Sequence, residues 1–218
     1  MMSNEISCSR WQLYVILDQA AAGARPLEEL AAAAIRGGAD VLQLRDKTAA
    51  PEDIVRTAER ILAVARPAGI PLIINDHPEV AACVGAQGAH LGQEDGLLAE
   101  GRRLAGPGRL LGRSTHSLDQ ALAAVREGVD YLACGPVYPT PTKPTYGSVG
   151  LELVRQVMAR VVRPVVCIGG IDRTNAAAVL AAGGRCLAVV RAVCAAPDPE
   201  TAARELKQII RAAALAVL

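Results

Sequence analysis

The chain has 218 residues, 51% of them apolar and only 2% aromatic, with no Phe and a formal net charge of +1. This length suits one domain with a sizeable core. Dispersed charges and so few aromatic rings argue against a nucleic acid or a membrane surface as the main partner.

Residues 1–10 read as a flexible extension with no apolar leader stretch, and no run is long enough to span a bilayer. Cys8, Cys83, Cys134, Cys167, Cys186 and Cys194 show no C-x-x-C spacing and several lie in apolar runs. They read as buried free thiols in a reducing compartment, so a cytoplasmic protein is expected. Whether it forms a homo-oligomer is not legible.

From there β-rich runs alternate with Ala- and Leu-rich helical patterns. Strands are predicted over 12–17, 40–44, 70–75, 88–91, 109–113, 129–134, 163–168 and 186–190. Helices are predicted near 26–37, 51–66, 77–84, 97–105, 117–127, 149–160, 173–182 and 199–217. Pro51 suits a first helical position, "SLDQ" at 117–120 has capping-box spacing, and Gly pairs at 37–38 and 183–184 end helices. The stretches "AIRGGADVLQL", "AVREGVDYLAC" and "VLAAGGRCLAVV" repeat one device: helix, Gly-containing turn, strand. Eight β-then-α units predict an α/β fold, a single (β/α)8 TIM barrel over 1–218. A doubly wound open sheet is the alternative, weakened because no G-x-G-x-x-G follows the first strand.

Barrel enzymes place their chemistry at the carboxyl ends of the strands. The second strand runs into "QLRDK", where alternation puts Gln43, Arg45 and Lys47 on one face and Leu42 and Leu44 on the other. With the leucines packed on helices, two cations and an amide face the barrel mouth, an arrangement that calls for an anionic ligand. A solvated strand end is the plainer reading. The third strand offers Asn75 and Asp76, the fourth Gln93, Glu94 and Asp95. Carboxylates on neighbouring strand ends suit Mg2+, which takes one or two of them beside waters and phosphates. Asp76 alternatively caps the helix near His77, and Asp95 is alternatively a helix N-terminal acid. His77, His90 and His116 lack metal-ligand spacing, so zinc is not expected.

The fifth strand ends in "GRSTHS", giving Ser114 and Thr115 hydroxyls, with Ser117 as a helix cap. The sixth ends in "GPVYPTPTKP", a proline-stiffened loop carrying Thr140, Thr142 and Lys143, either a spacer or a clamp on a charged ligand. After the seventh and eighth strands, Gly169, Gly170, Val190 and Arg191 stand where this fold commonly binds phosphate.

Together "QLRDK", "LIINDHPEVA", "GAHLGQED", "GRSTHSLDQA", "GPVYPTPTKP" and "VVCIGGI" resemble the thiamine phosphate synthase family, in order from about Leu13 to Glu205. The resemblance implies a barrel that joins an aminopyrimidine methyl diphosphate to a hydroxyethylthiazole phosphate, or its carboxylated form, releasing pyrophosphate with Mg2+. It implies that Gln43, Arg45, Lys47, Asn75, Ser114 and Lys143 contact the pyrimidine diphosphate. Arg45, Lys47, Ser114 and Lys143 then act in catalysis, and Asp76 and Asp95 hold the metal. Thr140, Thr142, Gly170, Val190 and its successor contact the thiazole phosphate. That successor, Arg191, stands where the family typically has a small hydroxyl residue. A thiazole tautomerase-like isomerase of the same fold, or a phosphate-binding barrel without turnover, are the alternative functions.

Overall fold

The computed structural model describes residues 8–141 and 147–215. Its eight strands are β1 Leu13–Asp18, β2 Val41–Arg45, β3 Leu72–Asn75, β4 Gly88–Leu91, β5 Leu110–Thr115, β6 Tyr131–Cys134, β7 Val165–Ile168 and β8 Cys186–Val189. They run parallel and in chain order round a closed barrel, whose seam pairs β1 with β8 at Leu13↔Leu187. The fold is therefore a TIM barrel and not an open sheet. Every predicted strand is present, with each end displaced by at most two residues.

The helices are α1 Gln19–Ala22, α2 Leu27–Arg36, α3 Pro51–Ala65, α4 Pro78–Val84, α5 Leu98–Ala105, α6 Leu118–Arg126, α7 Gly150–Arg160, α8 Ala176–Ala181, α9 Arg191–Cys194 and α10 Pro199–Leu215. Pro51 opens α3, and Ser117 Oγ accepts the Gln120 N–H at the start of α6. Gln120 Oε1 reaches back to the His116 N–H at 2.7 Å, one residue before the cap. α1 and α9 have four residues each, too few to leave a helical period in the sequence. α8 starts later than expected because Asp172 Oδ1 takes the Thr174 N–H and hydroxyl, bending residues 172–175 into a turn.

Strand alternation sorts the core into two layers. Leu13, Val15, Leu17, Leu42, Leu44, Leu72 and Ile74 point outward onto the helices. Trp11, Tyr14, Ile16, Val41, Ile73, Tyr131, Val166, Cys186 and Ala188 fill the barrel axis. Burying one such aliphatic side chain stabilises the fold by about 1.5–3 kcal/mol. The few aromatic residues concentrate on that axis, with Trp11 stacked edge-on at 5.7 Å from Tyr14 and 5.2 Å from Tyr131. Gly112 makes room for them: a Cβ there would stand 2.2 Å from Tyr131 Cζ and 2.5 Å from His90 Nδ1. Cys134, Cys167, Cys186 and Cys194 are buried free thiols, whereas Cys83 is exposed on α4.

The repeated Gly-turn device staples the amino end of the barrel. Asp40 Oδ2, just before β2, accepts the N–H groups of Gln12 and Leu13, both at 2.8 Å, and Lys207 of α10 binds both its oxygens. Asp130, before β6, accepts the Leu111 N–H at 2.7 Å and pairs with Arg102. Gln87, before β4, takes the Leu72 N–H at 2.8 Å. Each ties the start of one strand to the turn leading into the next, leaving the carboxyl end free for chemistry.

Candidate active site

At the carboxyl ends of the strands lies a cavity of about 470 Å³. Of the residues expected there, Gln43, Arg45, Asn75, Ser114, Thr140, Gly170, Val190 and Arg191 line its walls. Lys47, Asp76 and Asp95 do not line it but meet one another beside it. Thr142 and Lys143 lie outside the described residues.

Gln43 points into the barrel, as alternation requires, and Leu42 and Leu44 pack outward. The cations, however, already have protein partners. Arg45 donates to Asp18, a buried carboxylate that also caps α1 through the Ala21 N–H at 2.9 Å. Asp18 is register partner to Arg45 across β1 and β2, a neighbour that reading β2 alone could not supply. The Arg45 guanidinium is thereby oriented before any ligand arrives.

Lys47 donates to Asp76 Oδ2. Asp76 does not cap α4, whose first turn has no side-chain cap. Its backbone sits at φ 64, uncommon for a residue with a Cβ, while its N–H donates to the His90 carbonyl at 2.8 Å. Asp95 is not a helix acid either, since α5 begins at Leu98. Its Oδ2 accepts the Gly92 N–H at 2.7 Å, and it stands within hydrogen-bonding reach of Asp76. Burial, and then the neighbouring Asp95, hold the Asp76 carboxyl above the usual carboxylate range. Arg113 steadies this loop from the outer face of β5, donating to the carbonyls of Gly96 at 2.8 Å and Gln93 at 3.2 Å.

Two facing carboxylates, one of them desolvated, make a donor set that a hard divalent cation would relieve of its repulsion. Among the described residues no third His, Cys, Asp or Glu completes the group. Water and phosphate oxygens would therefore fill the remaining positions, which is the habit of Mg2+.

The barrel floor holds a chain of polar groups that motif reading passed over. Gln43 Nε2 donates to Tyr14 Oη at 2.8 Å, Tyr14 Oη meets Tyr131 Oη at 3.1 Å, and Tyr131 Oη meets His90 Nδ1 at 3.2 Å. His90 Nε2 then lies 3.0 Å from Ser114 Oγ. Burial pushes the phenol pKa of both tyrosines up, so they stay protonated. The signal was available, because applying the alternation of β2 to every strand puts Tyr14, His90, Ser114 and Tyr131 on the inward face.

The opposite wall is built by the loop after β6. Val137 N–H donates to the Ile168 carbonyl at 2.8 Å and Tyr138 N–H to that of Gly169 at 3.0 Å, so the loop prolongs the sheet across the end of β7. Only glycines fit beneath it: a Cβ on Gly169 would lie 2.4 Å from Pro136 Cα, and one on Gly170 2.6 Å from the Pro139 carbonyl. His116 Nδ1 donates to the Gly135 carbonyl, locking the loop's first residue to β5. Arg191 opens α9, with its side chain exposed and no hydrogen bond or ion pair through its guanidinium among the described residues. The Val193 and Cys194 N–H groups close this four-residue turn onto the Val190 carbonyl, so the charge at this corner is that of the Arg191 guanidinium. Ile16, Ala133, Val166 and Ala188 add apolar surface to a cavity that also presents polar groups, the mixed lining usual of small-molecule sites.

The profile of the thiamine monophosphate synthase family (TMP-TENI) matches residues 13–193. A thiamine-phosphate synthase from Roseiflexus sp. is 44% identical over 202 residues, covering 92% of this chain and 86% of that one. One from Thermus thermophilus is 49% identical over 177 residues, covering 80% and 84%. Among solved structures, a thiamine phosphate pyrophosphorylase from Pyrococcus furiosus superposes with a TM-score of 0.86 at 33% identity, covering 94% of this chain and 98% of its own.

Proposed function

This chain belongs to the thiamine monophosphate synthase family, and on that premise we propose a Mg2+-dependent cytoplasmic transferase that joins an aminopyrimidine methyl diphosphate to a hydroxyethylthiazole phosphate or its carboxylated form. The observation that carries this reading is one cavity lined by anion-ready groups from two runs of strands, Arg45 and Ser114 on β2 and β5 and Gly170 and Arg191 after β7 and β8.

The carbon–oxygen bond to the diphosphate breaks with its electron pair leaving on pyrophosphate. The thiazole nitrogen lone pair then forms the new carbon–nitrogen bond. No protein nucleophile is needed. Gln43 and Asn75 orient the pyrimidine, whose amino group spreads the positive charge on the methylene carbon. Arg45, held by Asp18, and Lys47 receive the charge that develops on the leaving group, and Ser114 donates a hydrogen bond to it. Lys143 serves the same anion. Asp76 and Asp95 would hold Mg2+, which when bound supplies further charge neutralisation to pyrophosphate. Thr140, Thr142, Gly170, Val190 and Arg191 hold the thiazole phosphate.

The test is to mix the protein, both substrates and Mg2+ and follow thiamine phosphate through its fluorescent oxidation product. The expected result is turnover that EDTA abolishes and Asp95→Ala loses. Full turnover without metal would remove Mg2+ from the reading. Binding of both phosphates without pyrophosphate release would make the protein a binding barrel, and isomerisation of the carboxylated thiazole phosphate alone would make it a tautomerase.

A further inference from the structure

We infer that Tyr14, Tyr131 and His90 form a hydrogen-bond relay across the barrel floor that fixes the polarity of its two ends, Gln43 as acceptor and Ser114 as donor toward the pyrimidine diphosphate. The substrate named here rests on the synthase reading; the relay itself rests on geometry. Gln43 Nε2 donates to Tyr14 Oη at 2.8 Å. A phenol oxygen that accepts there keeps its own hydrogen to give, and its other partner is Tyr131 Oη at 3.1 Å. Tyr131, accepting from Tyr14, gives its hydrogen to His90 Nδ1 at 3.2 Å. That ring nitrogen must be bare, so the imidazole proton sits on Nε2, 3.0 Å from Ser114 Oγ. Ser114 accepts it, and the Ser114 hydroxyl hydrogen is left for the cavity that this residue lines. At the other end one amide hydrogen is held by Tyr14, which turns Gln43 Nε2 toward the barrel floor and presents Oε1 as an acceptor.

The two ends match the substrate chemically. An exocyclic aromatic amine donates and finds the Gln43 carbonyl; diphosphate oxygens only accept and find the Ser114 hydroxyl. Buried polar groups are normally satisfied, so internal bonds alone would mean little. What sets this chain apart is that all five groups, from Gln43 through the rings to Ser114, line one cavity, with the amide and the hydroxyl at its two termini. Tyr14, Tyr131 and His90 are 2%, 0% and 6% exposed, so bulk water does not scramble the order, and low polarity strengthens each bond. Gly112, beside Tyr131 and His90, leaves the space that lets the ring and the imidazole meet. The three act through Gln43 and Ser114 and are positioning residues.

The test combines a spectroscopic and a kinetic readout. In the histidine-15N-labelled, unliganded protein, His90 is expected to carry its proton on Nε2, with Nδ1 showing the shift of a bare ring nitrogen. Tyr131→Phe removes the hydrogen that Nδ1 accepts, so a mixture of tautomers is expected. In the same variant kcat is expected to fall about tenfold, the scale of one hydrogen bond, with the KM for thiazole phosphate unchanged. Tyr14→Phe, one step upstream, is expected to do the same. A His90 proton on Nδ1 in the unsubstituted protein would overturn the relay, as would wild-type kcat in both variants. If the unsubstituted protein made no thiamine phosphate, the synthase reading would fall, and the His90 tautomer would still decide the relay.

Discussion

Lys47, just past β2, donates its ammonium to the Asp76 carboxylate at the end of β3, and Asp95 reaches the same carboxylate from the loop after β4. A cation of the protein thus occupies part of the ground that a divalent metal would take.

If Mg2+ binds there, it competes with Lys47. The pair is half exposed on the lysine side and is worth at most about 1 kcal/mol. Lys47→Met should therefore tighten Mg2+ binding roughly two- to fivefold, measured by titration calorimetry, while turnover falls because the leaving group loses a cation. Unchanged affinity would show that the ammonium does not compete.

The raised Asp76 pKa has a sign that can be measured. Between the ordinary carboxyl pKa and the raised one, the folded chain holds a proton that the unfolded chain has lost. Stability of the metal-free protein should therefore fall as pH rises through that window, and Asp95→Asn should flatten the slope. Urea midpoints in EDTA, followed upward in pH from the ordinary carboxyl pKa, give the answer, and equal slopes in the two proteins would contradict it.

Among the described residues Arg191 has no side-chain hydrogen bond or ion pair, and it lines the cavity where the thiazole phosphate is proposed to bind. Arg191→Ser should raise the KM for thiazole phosphate about tenfold or more, the size of a charge-assisted hydrogen bond, with little change in kcat. A KM that stayed the same or fell would place the guanidinium outside the phosphate site.

Asp40 tests the opposite end of the barrel. Asp40→Ala strands the buried Lys207 ammonium and frees two strand N–H groups, at a cost of about 3 kcal/mol. Urea unfolding should register that loss while kcat per folded molecule stays unchanged. A loss below about 1 kcal/mol would make the staple dispensable.

The barrel was legible because each strand carries its own apolar signature and each helix its own punctuation. Those are local properties, and they survive in a linear string. The strand ends were legible too: Gln43, Asn75, Ser114 and Arg191 reach one cavity because a parallel barrel puts every carboxyl end on one rim. Pairings across the barrel were not. The bond from Arg45 to Asp18 joins neighbouring strands, and that from His90 to Ser114 joins β4 to β5. His90 stands in no metal-ligand spacing, and its inward direction shows only when the alternation of β4 is followed. Asp76 and Asp95 were foreseen as a pair, but not that Lys47 would stand with them.

The seam between β1 and β8 has a consequence for how the enzyme comes into being. On the proposed assignment Gln43, Arg45, Asn75 and Ser114 on the pyrimidine side come from β2, β3 and β5, with Lys143 following after β6, whereas the thiazole-side residues come from the β6 loop, β7 and the turn after β8. A growing chain would then complete most of one pocket before the other, and Leu13 waits for Leu187, seven strands later, to close the seam. Contacts so far apart in sequence form late. Catalysis is in this sense a report on closure: a ring left open at its last joint would hold one substrate and have nowhere to put the second.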